Sequence, residues 1–301
     1  MQQVYNLDWK NSKNTAVALG YFDGVHIGHR FLIDSMKQYA QQHGLDKGVF
    51  TFTKSIPLGH KGKDILDTAQ KMEVMESLGV DLYYSPDFSV FSQLTPQQFV
   101  EDVLIGSMGA KAVFCGENFL FGKNRAGNVQ VLTELCAKQG VQVFIVPTVQ
   151  LEGVTVSSTE IRTALLAGDV EKANRMLGRP YSIRFEVVHG KQLGSKIGTP
   201  TINQIYPDSM CSPKEGVYIT KTIVDGKKYP SATGFGTRPT VSGTGLSCET
   251  TIADFNGDLY GRQVTVEFYS YLYPVQKFDN VSQLAAMIES VLEQSKNYST
   301  I

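Results

Sequence analysis

An excess of charge of one sign, a long apolar run and paired cysteines are all missing from this chain of 301 residues. Its 28 Lys and Arg stand against 29 Asp and Glu, a net charge of −1, so no basic surface argues for nucleic acid as a partner. No apolar run approaches the ~20 residues that a membrane-spanning helix needs. The opening Met-Gln-Gln-Val-Tyr-Asn-Leu-Asp-Trp-Lys also lacks the apolar core of a signal peptide. A membrane is therefore not an expected partner. Cys115, Cys136, Cys211 and Cys248 lie far apart with no Cys-x-x-Cys, which predicts buried free thiols in a reducing cytoplasm rather than zinc ligands or disulfides. There is no internal repeat and no low-complexity linker. With 42% apolar residues, the chain reads as a cytoplasmic, globular protein of enzyme size, long enough for two domains. Nothing in the pattern fixes an oligomeric state.

Histidine is scarce as well, and its placement is informative. Of five in the chain, two stand three residues apart in Gly20-Tyr21-Phe22-Asp23-Gly24-Val25-His26-Ile27-Gly28-His29. A strand-type segment, 15–20, stops at Gly20, a tight turn follows, and both histidines fall where a helix begins. Two imidazoles beside the free N–H groups of a helix N-terminus suit the phosphates of a nucleotide.

Further strands are predicted at 48–52, 81–85, 111–115 and 141–147. Between them, Phe31, Leu32, Met36, Tyr39 and Ala40 mark one apolar face of a helix over 27–42, ended by Gly44. Thr95, Pro96 and Gln98 give the start of a second helix, 95–107, with a capping box. This alternation predicts a parallel sheet with helices on both faces. Ligands of such sheets bind at the carboxyl ends of strands, where His26 and His29 fall. Two short helices, 159–167 and 169–177, are expected next, with Gly168 and Gly178 at their ends and Asp169 capping the second. Beyond Pro180 the segments 183–188, 216–224, 229–235, 247–255 and 262–270 are β-type, and Asp225-Gly226 and Asn256-Gly257 signal hairpins. This half reads as a small antiparallel barrel. It is followed by a helix over 281–295 whose Leu284, Met287, Ile288, Val291 and Leu292 form a packing stripe.

Two more segments carry chemistry in the first half. Ser157, Ser158 and Thr159 open a helix with Arg162 one turn on, which suits phosphate oxygens or serves as a plain cap. Gly116-Glu117-Asn118-Phe119-Leu120-Phe121-Gly122, after the fourth strand, suits either a loop against a planar ring or a hydrophobic plug.

Taken in order, these motifs resemble the bacterial bifunctional riboflavin kinase/FAD synthetase (FMN adenylyltransferase) family. The resemblance rests on Gly20, Phe22, Asp23, Gly24, Val25, His26, Gly28 and His29, on Ser157 to Arg162, and on Leu177-Gly178-Arg179-Pro180-Tyr181, and it spans nearly the whole chain. It implies a Rossmann-like nucleotidyltransferase domain over 1–181 and a riboflavin kinase barrel with a C-terminal helix over 182–301. It further implies ATP as co-substrate, with riboflavin and FMN as acceptors and FAD as product. His26 and His29 would stabilise the transferring phosphoryl group, with Gly20, Phe22, Asp23 and Gly24 at the nucleotide. Ser157, Ser158, Thr159 and Arg162 would hold the departing phosphates, with Mg²⁺ bridging phosphate oxygens. Asn118, Phe119 and Phe121 are the flavin candidates on this side. The chain departs from the family at Thr51-Phe52-Thr53-Lys54-Ser55-Ile56-Pro57, where Asp and His are usual, and at Asn118 and Leu120, where Asp and Arg are usual.

In the second half, Thr199-Pro200-Thr201-Ile202-Asn203 resembles the family's Pro-Thr-x-Asn motif. Thr201 and Asn203 offer hard oxygens for Mg²⁺. Glu249 stands where the family places a carboxylate, suited to accept the proton of riboflavin's neutral hydroxyl. Gly190, Gly194 and Gly198 belong to a nucleotide loop that lacks the family's arginines, and 272–278 lacks its Arg and Glu. The competing expectation is an FAD synthetase whose weak or inactive kinase domain serves as a flavin-binding module.

Overall fold

The computed structural model describes residues 1–53, 63–189, 201–240, 243–276 and 280–298, and the side chains of 238–240, 243 and 244 are left aside. Two compact units are present, one of residues 1–62 and 66–157, the other of 63–65 and 158–301.

In the first unit, β1 (Gln2–Val4), β2 (Thr15–Leu19) and α1 (Ile27–His43) precede β3 (Asp46–Phe50), α2 (Thr68–Ser77) and β4 (Leu82–Tyr84). Next come α3 (Phe88–Phe91), α4 (Pro96–Gln98), a π-helical turn Phe99–Ser107, β5 (Ala110–Gly116), α5 (Val129–Lys138) and β6 (Gln142–Val146). A short hairpin, β7 (Gln150–Leu151) and β8 (Val154–Thr155), ends the unit. The six strands β1 to β6 form one parallel sheet in the order β1-β4-β3-β2-β5-β6.

Every residue of β2 is buried, as a central strand covered on both faces requires. Ala16 and Ala18 face Leu32, Ile33 and Met36 of α1. Val17 and Leu19 face Phe99, Val103 and Leu132 on the other side. The helix starts follow local chemistry. Thr95 and Gln98 form the reciprocal capping box, and Gly44 ends α1 in the left-handed region at φ 62°.

The second unit begins with α6 (Ser158–Ala167) and α7 (Val170–Leu177), the latter capped by Asp169 accepting from the Lys172 N–H. A closed six-stranded barrel follows: β9 (Tyr181–Val188), β10 (Thr201–Ile205), β11 (Gly216–Val224), β12 (Lys227–Thr240), β13 (Gly243–Ile252) and β14 (Gln263–Tyr273). Around the barrel their order is β10-β13-β12-β11-β14-β9. The Asp225-Gly226 turn has positive φ at both residues, 50° and 78°, as a two-residue hairpin demands. Asn256-Gly257 instead lies in a longer connection from Ile252 to Gln263.

Much of the buried face of the strands is polar. Thr220, Thr222, Ser231, Thr233 and Thr250 are buried and joined through their hydroxyls at 2.8 to 2.9 Å. The final helix, α8 (Val281–Asn297), packs Met287, Val291 and Leu292 against Val217 and Ile219. It also inserts Ser295, whose Oγ accepts from Ser231 N–H at 3.1 Å and donates to Thr220 O at 2.7 Å. All four cysteines are buried and free. Burial pushes the thiols of Cys115 and Cys136 up to about 12 and about 11. Among the described residues no helix is long and apolar enough to cross a membrane.

Candidate active sites

The strand order of the first unit reverses at β2. The chain runs through β3 and β4 on one side of it, then through β5 and β6 on the other. The carboxyl ends of β2 and β5 therefore flank the crevice where open α/β sheets bind ligands. Both loops singled out by the sequence, 20–29 and 116–122, leave from these two ends.

The turn after β2 is strained. Phe22 (φ 53°), Gly24 (φ 77°) and Val25 (φ 40°) all lie in the left-handed half of conformational space. For a β-branched residue that is a true outlier, and each such non-glycine residue costs about 1–3 kcal/mol, sustained by its surroundings. Phe22 is buried, and a Cβ on Gly20 would lie 3.0 Å from its ring, so glycine there makes room for Phe22. Asp23 is buried within the turn.

His26 is the N-cap of α1, its Nδ1 accepting from the His29 N–H at 3.2 Å. An imidazole whose Nδ1 accepts is neutral and carries its proton on Nε2, which is then a donor. His29 stacks on His26 with ring centroids 3.6 Å apart and meets Phe22 edge-on at 5.2 Å. A Cβ on Gly28 would lie 3.2 Å from His26 Nδ1 and 3.9 Å from Val149 Cβ. The Val156 N–H in turn donates to Val149 O at 2.9 Å. The hairpin after β6 thus brings the residue before Ser157 back to Val149, beside the His-x-Gly-His turn.

Ser158 and Thr159 open α6 as expected, and Arg162 Nε donates to Lys63 O at 2.8 Å. In the loop after β5, Asn118 is exposed and Phe119 half-buried. Phe121 is buried in the core, its ring 5.4 Å from that of Phe99. It exchanges two backbone hydrogen bonds with Gly127, whose missing side chain leaves space for the Phe121 ring. Phe119 stacks on Phe121 at 5.7 Å.

Sequence reasoning passed over Lys71. This lysine of α2 is only 6% exposed; its Nζ donates to Tyr21 O at 3.1 Å and lies 4.2 Å from the Tyr21 ring centroid. The available signal was a lysine at 71 on the same stripe as Met75 and Leu78, spaced i, i+4, i+7.

In the barrel, register assembles the second set. Asn203 of β10 pairs directly with Glu249 of β13, so both side chains share one face, with Thr201 two residues along. Thr201 Oγ1 donates to Glu249 Oε1 at 3.2 Å. Cys248 and Thr250 on either side of Glu249 are fully buried while Glu249 is partly exposed, which fixes its outward direction. Three hard oxygen donors from segments 46 or more residues apart thus converge, a set chemically suited to Mg²⁺. Gly190, Gly194 and Gly198 lie outside the described residues.

A parallel sheet with a strained, histidine-bearing turn at its reversal point, followed by a barrel with a Thr-Asn-Glu face, fits a two-domain transferase class. Residues 8–160 match the family model of FAD synthetase, and 177–299 that of riboflavin kinase. The chain belongs to the bifunctional riboflavin kinase/FMN adenylyltransferase family. The Bacillus subtilis protein of that name is 34% identical over 98% of this chain and 95% of its own length. The Listeria monocytogenes protein is 35% identical (92% and 90%), and the Escherichia coli K12 protein 32% (95% and 93%). A crystal structure described as a macrolide-efflux protein from Streptococcus pneumoniae superposes with a TM-score of 0.89. It is 33% identical and covers 99% of each chain.

Proposed function

We propose that this chain phosphorylates riboflavin with ATP on its barrel and then joins FMN to the adenylyl group of a second ATP, releasing pyrophosphate. The observation that carries the reading is the pairing of two sites of different chemistry, each on the domain that needs it. Residues 1–181 serve adenylyl transfer, and 182–301 serve phosphorylation.

FMN brings an already ionised phosphate, so the first unit has no proton to remove. One FMN phosphate oxygen attacks the α-phosphorus of ATP, and the bond to the β-phosphate oxygen breaks. His26 offers Nε2–H and His29 its stacked imidazole to the charge that grows on the α-phosphoryl oxygens. Gly20, Phe22, Asp23 and Gly24 shape the nucleotide's approach, and Ser157, Ser158, Thr159 and Arg162 hold the departing pyrophosphate. Asn118 and Phe119 meet the flavin, with Phe121 bracing Phe119 from beneath.

Riboflavin brings a neutral hydroxyl instead. Glu249 accepts its proton as the oxygen bonds to the γ-phosphorus and ADP departs, and the Thr201 hydrogen bond orients Oε1 for that role. Thr201 and Asn203 would hold Mg²⁺, which when bound neutralises phosphate charge. Gly190, Gly194 and Gly198 are assigned to the nucleotide from the sequence motif alone. The balance of 28 basic against 29 acidic residues and the four buried free thiols support action in a reducing cytoplasm on small molecules.

The test is a time course of riboflavin, FMN and FAD in the presence of ATP and Mg²⁺. FMN should rise first and FAD follow. FAD formed from added FMN but never from riboflavin would reduce the barrel to a flavin-binding module.

A further inference from the structure

We propose that Lys71 is a positioning residue for adenylyl transfer. Its ammonium, together with the Thr51 hydroxyl, clamps the Tyr21 carbonyl and so holds the left-handed turn on which His26 and His29 hang.

A lysine with 6% exposure requires a specific partner, because burying an ammonium is costly unless it is hydrogen-bonded. One partner is Tyr21 O, 3.1 Å from Nζ. That carbonyl also accepts from Thr51 Oγ1 at 2.9 Å, and Thr51 is fully buried. Two donors, one on α2 and one just past β3, therefore converge on the last carbonyl before Phe22. The Tyr21 ring lies under the same ammonium at 4.2 Å, so the lysine grips both the backbone and the side chain of one residue.

The turn needs such a grip. Three of the next four residues sit at positive φ, a conformation that persists only where its surroundings over-determine it. Whatever displaces Tyr21 moves Phe22 and Val25, and with them the stacked pair: Phe22 lies edge-on to His29, and His26 directly follows Val25. Lys71 acts through these neighbours and is not itself assigned to substrate.

This inference rests on the reading of His26 and His29 as the adenylyl-transfer pair, and the test separates the two. Lys71→Met and Lys71→Arg are made in the full chain, each alone and with His29→Ala. FAD formation from FMN and phosphorylation of riboflavin are measured on the same preparations. Lys71→Met should lower kcat for FAD formation about 30-fold, the scale expected from displacing a catalytic group by a fraction of an ångström. KM for ATP should stay within about threefold and phosphorylation within about twofold. Lys71→Arg, which keeps a charged donor, should restore kcat to within about fivefold of the parent. In the His29→Ala background Lys71→Met should cost clearly less than in the parent, about tenfold or below, because the share that acts through His29 is already lost and only His26 remains to be displaced. Equal losses in both backgrounds, or FAD formation unaffected by Lys71→Met, overturn the proposal. Wild-type FAD formation by His29→Ala alone removes the site reading beneath it. Should Lys71→Met fail to fold, Thr51→Val removes the other donor to the same carbonyl. It must then give the same selective loss of kcat, or the clamp is refuted.

Discussion

Replacing Glu249 by glutamine separates the carboxylate's basicity from its shape. Glutamine has the same length and can still accept the Thr201 hydroxyl now found 3.2 Å from Oε1. It keeps its place opposite Asn203 across the β10–β13 ladder. The side chain is partly exposed, so the exchange should change stability by no more than about 0.5 kcal/mol. What disappears is the carboxylate basicity on which the proposed proton transfer depends. A positioned general base contributes about 10² to 10⁴ in rate, which is roughly 3–5 kcal/mol of barrier at 1.36 kcal/mol per decade. The assay follows riboflavin to FMN at saturating ATP, with FMN to FAD on the same sample as an internal control. Glu249→Gln should lose 10² to 10⁴ in kcat for phosphorylation, shift KM for riboflavin little, and leave FAD formation from FMN unchanged. Phosphorylation within about threefold of the parent would show that another group takes the proton. Loss of both activities would show instead that the exchange damaged the fold.

Gly28→Ala places a methyl 3.2 Å from His26 Nδ1, forcing the ring to yield by a few tenths of an ångström. FAD formation should fall about tenfold while phosphorylation holds, as steady-state rates will show. Ser295→Ala strands the Ser231 N–H and the Thr220 carbonyl that Ser295 now serves. A shift in the urea midpoint of the barrel should report a loss of about 1–3 kcal/mol. The thiols of Cys115 and Cys136 are raised by burial from 9.0 to about 12 and about 11, and the Tyr83 hydroxyl from 10.0 to about 12. Below pH 9 these groups are protonated whether the chain is folded or not, and their burial contributes its full stability. Above it the unfolded chain releases protons that the folded chain keeps, so stability must fall as pH rises from 9 towards 12. Unfolding midpoints measured from pH 7 to 11 should be flat to about 9 and then decline; a flat profile to 11 would exclude such burial.

The parallel sheet was legible because its strands are short apolar runs separated by recognisable helix ends. The predicted 15–20, 48–52, 81–85, 111–115 and 141–147 lie within two residues of β2 to β6 at each end. The same is true of α1 and of Thr95 with Gln98, where two side chains within one turn settle the cap. Elements made by partners rather than by local pattern escaped. β1 is three residues, two of them exposed, and exists through its ladder with β4. β10 carries Asn203 and Gln204 and resembles a turn motif, yet it pairs with both β13 and β9 and closes the barrel. The Asn256-Gly257 signal was strong by composition, but β13 ends at Ile252 and β14 begins at Gln263. The strand ends are too distant for a two-residue turn to join them. Helical periodicity also hid the π-turn over Phe99–Ser107, where a Cβ on Gly106 would lie 3.0 Å from Glu101 O.

At the sites, legibility followed distance along the chain. Gly20 to His29 is one contiguous stretch, so residue types and spacing alone suggested a phosphate turn. Thr201 and Asn203 were readable as oxygen donors, but their meeting with Glu249 is a fact of strand register that no local pattern carries. The strain at Val25 runs against local preference, since a valine at φ 40° is what sequence rules would reject first. Lys71 was invisible for the complementary reason: on a helix, a lysine is ordinarily read as solvated. The two misses explain one another. A turn that its own residues do not favour must be held from outside, and the donors on its first carbonyl come from Thr51 and from Lys71, some 30 and 50 residues away. Where local rules fail together in this way, the failure marks a site rather than a defect. Here it falls at the carboxyl end of the central strand, under the two histidines.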